Sequence, residues 1–117
     1  MFFPEEQVKI WLCTRPTDMR KSFDGLAALV KTQLNQDPTS GQLFVFVNRR
    51  KNYLKLLYFD RSGFCLWAKK LESGQFHVPM DELGQRIINM TQLKLLLEGL
   101  VEKAFIKRKR FQKKSVI

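Results

Sequence analysis

One α+β domain, with an antiparallel β-sheet (a meander) and two helices packed on it, is the fold this sequence predicts. Three observations carry that reading. The chain has 117 residues, one domain's worth. Between residues 43 and 70, three short runs rich in β-branched and aromatic side chains are separated by polar turns. On either side of them, apolar residues recur at helical spacing. Hydrophobic residues make up 44% of the chain, enough apolar surface to offset the entropy of ordering and to build a core without staples. Cys13 and Cys65 are too few for a disulfide framework or for a four-ligand zinc site.

Residues 8–13 alternate, placing Val8, Ile10 and Leu12 on one side of a strand. Pro16 lacks an amide donor and restricts Arg15, so the strand stops there. A helix follows, capped by Asp18 or Ser22 and running to about Asn35, with Phe23, Leu26, Leu29, Val30 and Leu34 on one face. Residues 37–41 form a loop. Strands are expected at 43–47, 53–59 and 64–70, joined by turns at 48–52 and 60–63. Further short strands are expected at 75–78 and 86–88. Asn89 and Gln92 then form a capping box for a helix over roughly 90–98, and Gly99 stands where a left-handed cap belongs.

Charge divides the chain in two. Lysine and arginine number 21 against 11 acids, a net charge of +10. Seven of the cations (Lys103, Lys107, Arg108, Lys109, Arg110, Lys113 and Lys114) fall in residues 103–117, where there is no acid. The organisation expected is therefore a nearly balanced domain over 1–102 and a basic tail, flexible or helical, over 103–117. Such a tail most often meets a polyanion through phosphate neutralisation and counterion release, the alternatives being a solvated tail that only aids solubility and attachment to anionic lipid. If all seven cations contacted phosphate, affinity would fall with log salt at a slope of about −6. A second basic group is expected on the folded domain. Arg49, Arg50 and Lys51 sit at a hairpin tip, Lys55 and Lys69–Lys70 extend it along the strands, and Arg20–Lys21 precede the first helix. Phosphate contacts of this kind position a protein, while an arginine fork can also read guanine edges. Tyr53, Tyr58, Phe59, Phe64 and Trp67 are candidate stacking faces for single strands, although alternating aromatics in strands more often build core.

Groups for catalysis are scarce. His77, the one histidine, falls in an expected strand as a structural residue, and Cys13 and Cys65 read as small buried hydrophobes. Asp18, Asp24, Asp37 and Asp60 are explained by caps and turns without a metal cluster. No glycine-rich phosphate loop occurs, so no catalytic residue, metal or cofactor is assigned, and the protein is read as a non-enzyme. The acidic start Met1–Glu6 does not resemble a signal peptide, and no apolar stretch reaches membrane-spanning length. A cytoplasmic location without membrane contact is expected.

Certain runs carry a resemblance. PTDMRKSFDGLA (Pro16 to Ala27), DPTSGQLFVFVNRRKNYLKLLYFDRSGFCLWAKKLESGQF (Asp37 to Phe76) and QLKLLLEG (Gln92 to Gly99) resemble the TnpB accessory protein, the second-reading-frame protein of IS66-type bacterial insertion sequences. The likeness runs in unbroken order over about residues 8–100. It implies a non-catalytic accessory role in DNA transposition beside a separate transposase. Within its pattern Arg20 and Lys21 match the turn-and-helix motif, and Arg49, Arg50 and Lys55 match the basic hairpin. The expected partners are DNA, through its phosphate backbone, and the transposase of the same element. With Lys51 and tail residues Lys107, Arg108, Lys109, Arg110, Lys113 and Lys114, these residues make up the expected DNA contacts. An adaptor that grips the transposase through Leu96, Leu100 and Phe105 without touching DNA is the alternative. A metal-dependent nuclease is a more remote one.

Overall fold

Residues 8–99 are described by the computed structural model. The elements in chain order are β1 (Ile10–Cys13), α1 (Phe23–Thr32), β2 (Leu43–Val47), β3 (Tyr53–Asp60), β4 (Gly63–Lys70), β5 (Gln85–Ile88) and α2 (Met90–Leu97). The strands form one sheet in the order β4-β3-β2-β1-β5. The meander is present: β2 pairs antiparallel with β3, and β3 with β4 through the register Leu57↔Leu66 and Tyr53↔Lys70. β5 adds antiparallel to β1, with Leu12 opposite Arg86.

The sheet is not wholly antiparallel. β1 and β2 run parallel, with Trp11 opposite Phe44. The cause is α1: a helix between two neighbouring strands carries the chain back to the end where it started. Side chains alternate identically in both kinds of pairing, so this could not be read from the period.

Each face of the sheet is covered by one helix. Leu26 and Val30 of α1, with Leu34 just beyond it, pack on Cys13, Phe44, Phe46 and Leu57. Leu93 and Leu96 of α2 pack on the opposite face against Ile10, Leu12, Leu43, Val45, Val47, Leu54 and Leu56. β2 is the middle strand and is buried at all five positions, which is why Leu43–Val47 reads as an unbroken apolar run.

α1 begins at the second of the two expected caps and ends earlier than expected. It starts at Phe23 and stops at Thr32, short of Asn35. Ser22 holds the cap position without a side-chain hydrogen bond. Asp18 is not the cap; its carboxylate accepts the Arg20 amide at 2.9 Å and closes the turn before the helix. Phe23, expected on the buried face, is 44% exposed. The chain leaves the helix through Asn35, at φ 52°, while Leu34 remains buried.

Residues 75–78 are not a strand. Phe76 and Val78 are buried and His77 is exposed, so the expected alternation is present, but the segment lies over the α2 face of the sheet and pairs with no edge. α2 is capped as expected, the Asn89 side chain accepting from the Gln92 amide at 2.7 Å and Gln92 returning a bond to the Asn89 amide. Gly99 follows at φ 71°, its amide donating to the Leu96 carbonyl at 2.9 Å. Only glycine takes that backbone shape without strain. No helix among the described residues is long and apolar enough to cross a membrane.

Candidate nucleic-acid interface

The strand directions gather the lysines and arginines at one end of the sheet. β1, β2 and β4 finish there, and β3 and β5 begin there. The three intervening segments at this end carry Arg15, Arg20, Lys21, Arg49, Arg50 and Lys51, and the adjoining strand ends carry Lys55, Lys69 and Lys70. That is nine of the fourteen lysines and arginines in residues 8–99, against the four acids Asp18, Glu72, Asp81 and Glu82. The excess of positive charge on the folded domain is therefore one-sided, an arrangement that raises the local concentration of an anionic partner.

The hairpin tip between β2 and β3 is held rigidly. Asn48 Oδ1 accepts from the amides of Asn52 and Tyr53 at 3.0 and 3.1 Å, and its Nδ2 donates to Asn52 Oδ1 at 2.8 Å. Lys51 turns the chain at φ 59°. Two outside donors brace the loop: Gln75 Nε2 to the Arg50 carbonyl at 2.9 Å, and the Phe76 amide to the Lys51 carbonyl at 2.6 Å. The irregular segment around Phe76 thus supports the tip, leaving the Arg49 and Arg50 side chains exposed.

Not every expected contact faces outward. Lys55 is only 8% exposed. Its ammonium donates to the carbonyls of Met19 and Lys21 at 2.8 and 2.7 Å, and lies 5.6 Å from the centre of the Tyr53 ring. This lysine is turned into the fold, where it ties the loop before α1 to β3. Lys69 likewise donates to the Leu97 carbonyl at 2.7 Å, satisfying a carbonyl at the end of α2. Lys70 stays exposed, with its ammonium 5.9 Å from the same Tyr53 ring.

Lys21 is exposed, and Arg20 is exposed but ion-paired with Asp18 at 2.6 Å. The hydrogen bonds from the Arg20 guanidinium, with the Arg20 amide second, hold the Asp18 carboxyl down at about 2. Arg15 was not among the sequence candidates. It donates to the Glu82 carbonyl at 3.1 Å and shares with Arg49 a cleft of about 380 Å³, whose other lining includes Asp81 and Glu82. The signal available in the sequence was its position at the end of a strand, beside Pro16. The tail candidates Lys107, Arg108, Lys109, Arg110, Lys113 and Lys114, and the domain's expected boundary at 102, lie outside the described residues.

The remaining candidates fall into structural positions. Cys13 is buried, and burial pushes its thiol up; Cys65 is half-buried, and both are free. His77 is exposed in the irregular segment rather than held in a strand. Asp37 accepts from the amide and hydroxyl of Thr39 at 2.9 and 2.7 Å, while Asp18 is committed to Arg20. Among the described residues no three His, Cys, Asp or Glu side chains are gathered to hold a metal ion. Tyr58 and Trp67 pack against the α2-side core, and Phe59 and Phe64 meet edge to face at 5.1 Å. Leu96, offered to a partner in the adaptor reading, is buried at 6% exposure; Leu100 and Phe105 lie outside the described residues.

Comparison with known proteins agrees with the resemblance read from the sequence. Two uncharacterized proteins of Sinorhizobium fredii (strain NBRC 101917 / NGR234) are similar. The chain is 40% identical to y4hO over 95 residues, covering 81% of this chain and 83% of that one. It is 38% identical to y4jC over 100 residues, covering 86% of each. No solved structure matches. The family described as IS66 Orf2-like protein matches residues 8–107, and by that match over most of its length the chain belongs to this family of insertion-sequence accessory proteins.

Proposed function

We propose that this protein is a non-catalytic accessory factor of transposition, acting in the cytoplasm, that binds DNA electrostatically and assists the separate transposase of its element. The observation carrying this reading is the collection of cations from three distant segments at one end of the sheet, with Arg49 and Arg50 exposed on a braced tip. A rigid tip loses little conformational entropy on binding, so its contacts are not offset by ordering costs. The exposed Arg15, Lys21, Arg49, Arg50 and Lys70, with the half-buried Lys51 and the Asp18-paired Arg20, neutralise phosphates; Lys55 and Lys69 act by holding the surface together. Such contacts give affinity and orientation with little dependence on sequence.

Binding of the full chain to a labelled duplex, titrated from about 50 to about 300 mM salt, tests this. Substituting Arg49→Gln with Arg50→Gln should weaken binding roughly tenfold at about 100 mM salt and flatten the log–log slope by up to about 2. Absence of measurable affinity at the lowest salt would sink the reading.

A second reading has its own observation. Leu83 and Ile87 are 80% and 54% exposed beside and on the edge strand β5, with Ile87 opposite Trp11. An adaptor for the transposase would use this side. Association with the transposase that survives nuclease digestion and is lost on Ile87→Asp would favour it.

A further inference from the structure

Two arginines of the basic end stand in a cleft whose remaining lining is unsuited to phosphate. The cleft has a volume of about 380 Å³, within the range that holds small ligands. Three segments build it: Arg15 and Pro16 after β1, Arg49 on the hairpin tip, and Met80, Asp81 and Glu82 before β5. Its walls are fixed to one another. The Asp81 amide donates to the Thr14 carbonyl at 3.2 Å and the Thr14 amide to the Gly84 carbonyl at 2.9 Å, which clamps the segment before β5 to the end of β1. The Thr17 amide donates to the Val47 carbonyl at 2.9 Å, tying the segment after β1 to the strand that leads into the tip. Arg15 lies along Gly84, where a Cβ would stand 3.1 Å from its Nε, and its Nη2 donates to the Glu82 carbonyl at 3.1 Å. A guanidinium held in this way is already ordered before a ligand arrives.

The acids decide what the cleft takes. Asp81 is committed to Thr14, Gly84 and Arg86. Glu82 is exposed, and among the described residues no hydrogen bond or ion pair engages its carboxylate. Beside it a phosphate would be repelled, whereas a group with donors and acceptors on neighbouring edges would not. Guanine is such a group. Its O6 and N7 accept from an arginine fork, while its N1–H and N2 amino group donate to a carboxylate. Base pairing occupies N1–H, so only an unpaired guanine offers that donor. Pro16 and Met80 supply apolar surface for the ring.

Resting on the DNA-binding reading above, we infer that this cleft takes one unpaired guanine of a DNA strand whose phosphates the basic end holds. The Arg15 guanidinium donates to O6 and N7, the Glu82 carboxylate accepts from N1 and N2, and Arg49 neutralises the nucleotide's own phosphate. Phosphate contacts give affinity without sequence information; the cleft adds a preference for one base at one place.

The full chain is titrated with labelled duplexes of about 20 base pairs that are fully paired or carry one bulged guanine, adenine or inosine. Inosine is guanosine without the N2 amino group. The parent should favour the guanine bulge over the adenine bulge about tenfold, and over the inosine bulge about fivefold. In E82Q and R15K, each shown by circular dichroism to be folded, both preferences should shrink to within about twofold. Each preference is a ratio taken within one protein, so changes in general affinity cancel. E82Q also separates base from phosphate, because removing an acid from the basic end should tighten binding to the fully paired duplex while the guanine preference is lost. Equimolar guanosine monophosphate should leave the bulged duplex bound, since it lacks the neighbouring phosphates. A parent that binds DNA without preferring guanine, or that treats inosine as guanine, would overturn the cleft's assignment and leave DNA binding standing. So would a preference that survives either substitution, or displacement by the free nucleotide. Failure of the parent to bind any duplex would instead remove the DNA reading itself.

Discussion

Lys55 illustrates how far one side chain's role depends on its surroundings. The sequence offers a cation beside a basic tip; the fold instead uses its ammonium to satisfy the carbonyls of Met19 and Lys21. Replacing it by methionine leaves both carbonyls short of a donor and should cost about 2 kcal/mol in urea unfolding. The salt slope of DNA binding should stay near the parental value, the opposite pattern to Arg49→Gln with Arg50→Gln. Asp81 has a comparable structural role. Its carboxylate accepts from the Thr14 hydroxyl at 2.7 Å, the Gly84 amide at 3.2 Å and Arg86 Nε at 2.9 Å, joining the end of β1 to the start of β5. The Thr14 hydroxyl first, then Arg86, hold its carboxyl below the ordinary 3.8. A carboxyl lowered on folding contributes stability that is present above its unfolded value and lost as pH falls through the folded one. The urea midpoint should therefore drop as the pH falls below about 5, and drop less in Asp81→Asn, which has no charge to lose. Equal acid sensitivity in the two proteins would dismiss this role.

Among the elements, those specified by neighbours in sequence were legible and those specified by distant partners were not. The cap of α2 is the clearest case, because Asn89 and Gln92 satisfy each other's amides three residues apart. Asn89→Ala should cost about 1 kcal/mol in thermal or urea unfolding, with most of it recovered by Asn89→Ser. The segment 75–78 is the counter-case. Its alternation buries Phe76 and Val78 as a strand would, but it packs across the face of the sheet, where no ladder can form. α1 lies between: Leu26 and Val30 were readable from their spacing, whereas Phe23 precedes the point where the helix settles on the sheet and stays largely exposed.

For the whole molecule, charge was visible from composition and its arrangement was not. Residues 15–21, 49–51 and 69–70 become neighbours only because β1, β2 and β4 end on the same side. The parallel pairing of β1 with β2 decides this, since an antiparallel pair would send Arg15, Arg20 and Lys21 to the opposite end of the sheet. The same topology returns α2 to that side and brings Gly99 against Gln75. By itself, then, the sequence determined the α+β class, the meander, the position and cap of α2, the family, and the surplus of cations, because each rests on local spacing or on simple counts. Tertiary structure alone decided strand direction, the inward turn of Lys55 and the gathering of the remaining cations at one end of the sheet. Those depend on which distant backbone groups each segment meets, and no local period encodes that.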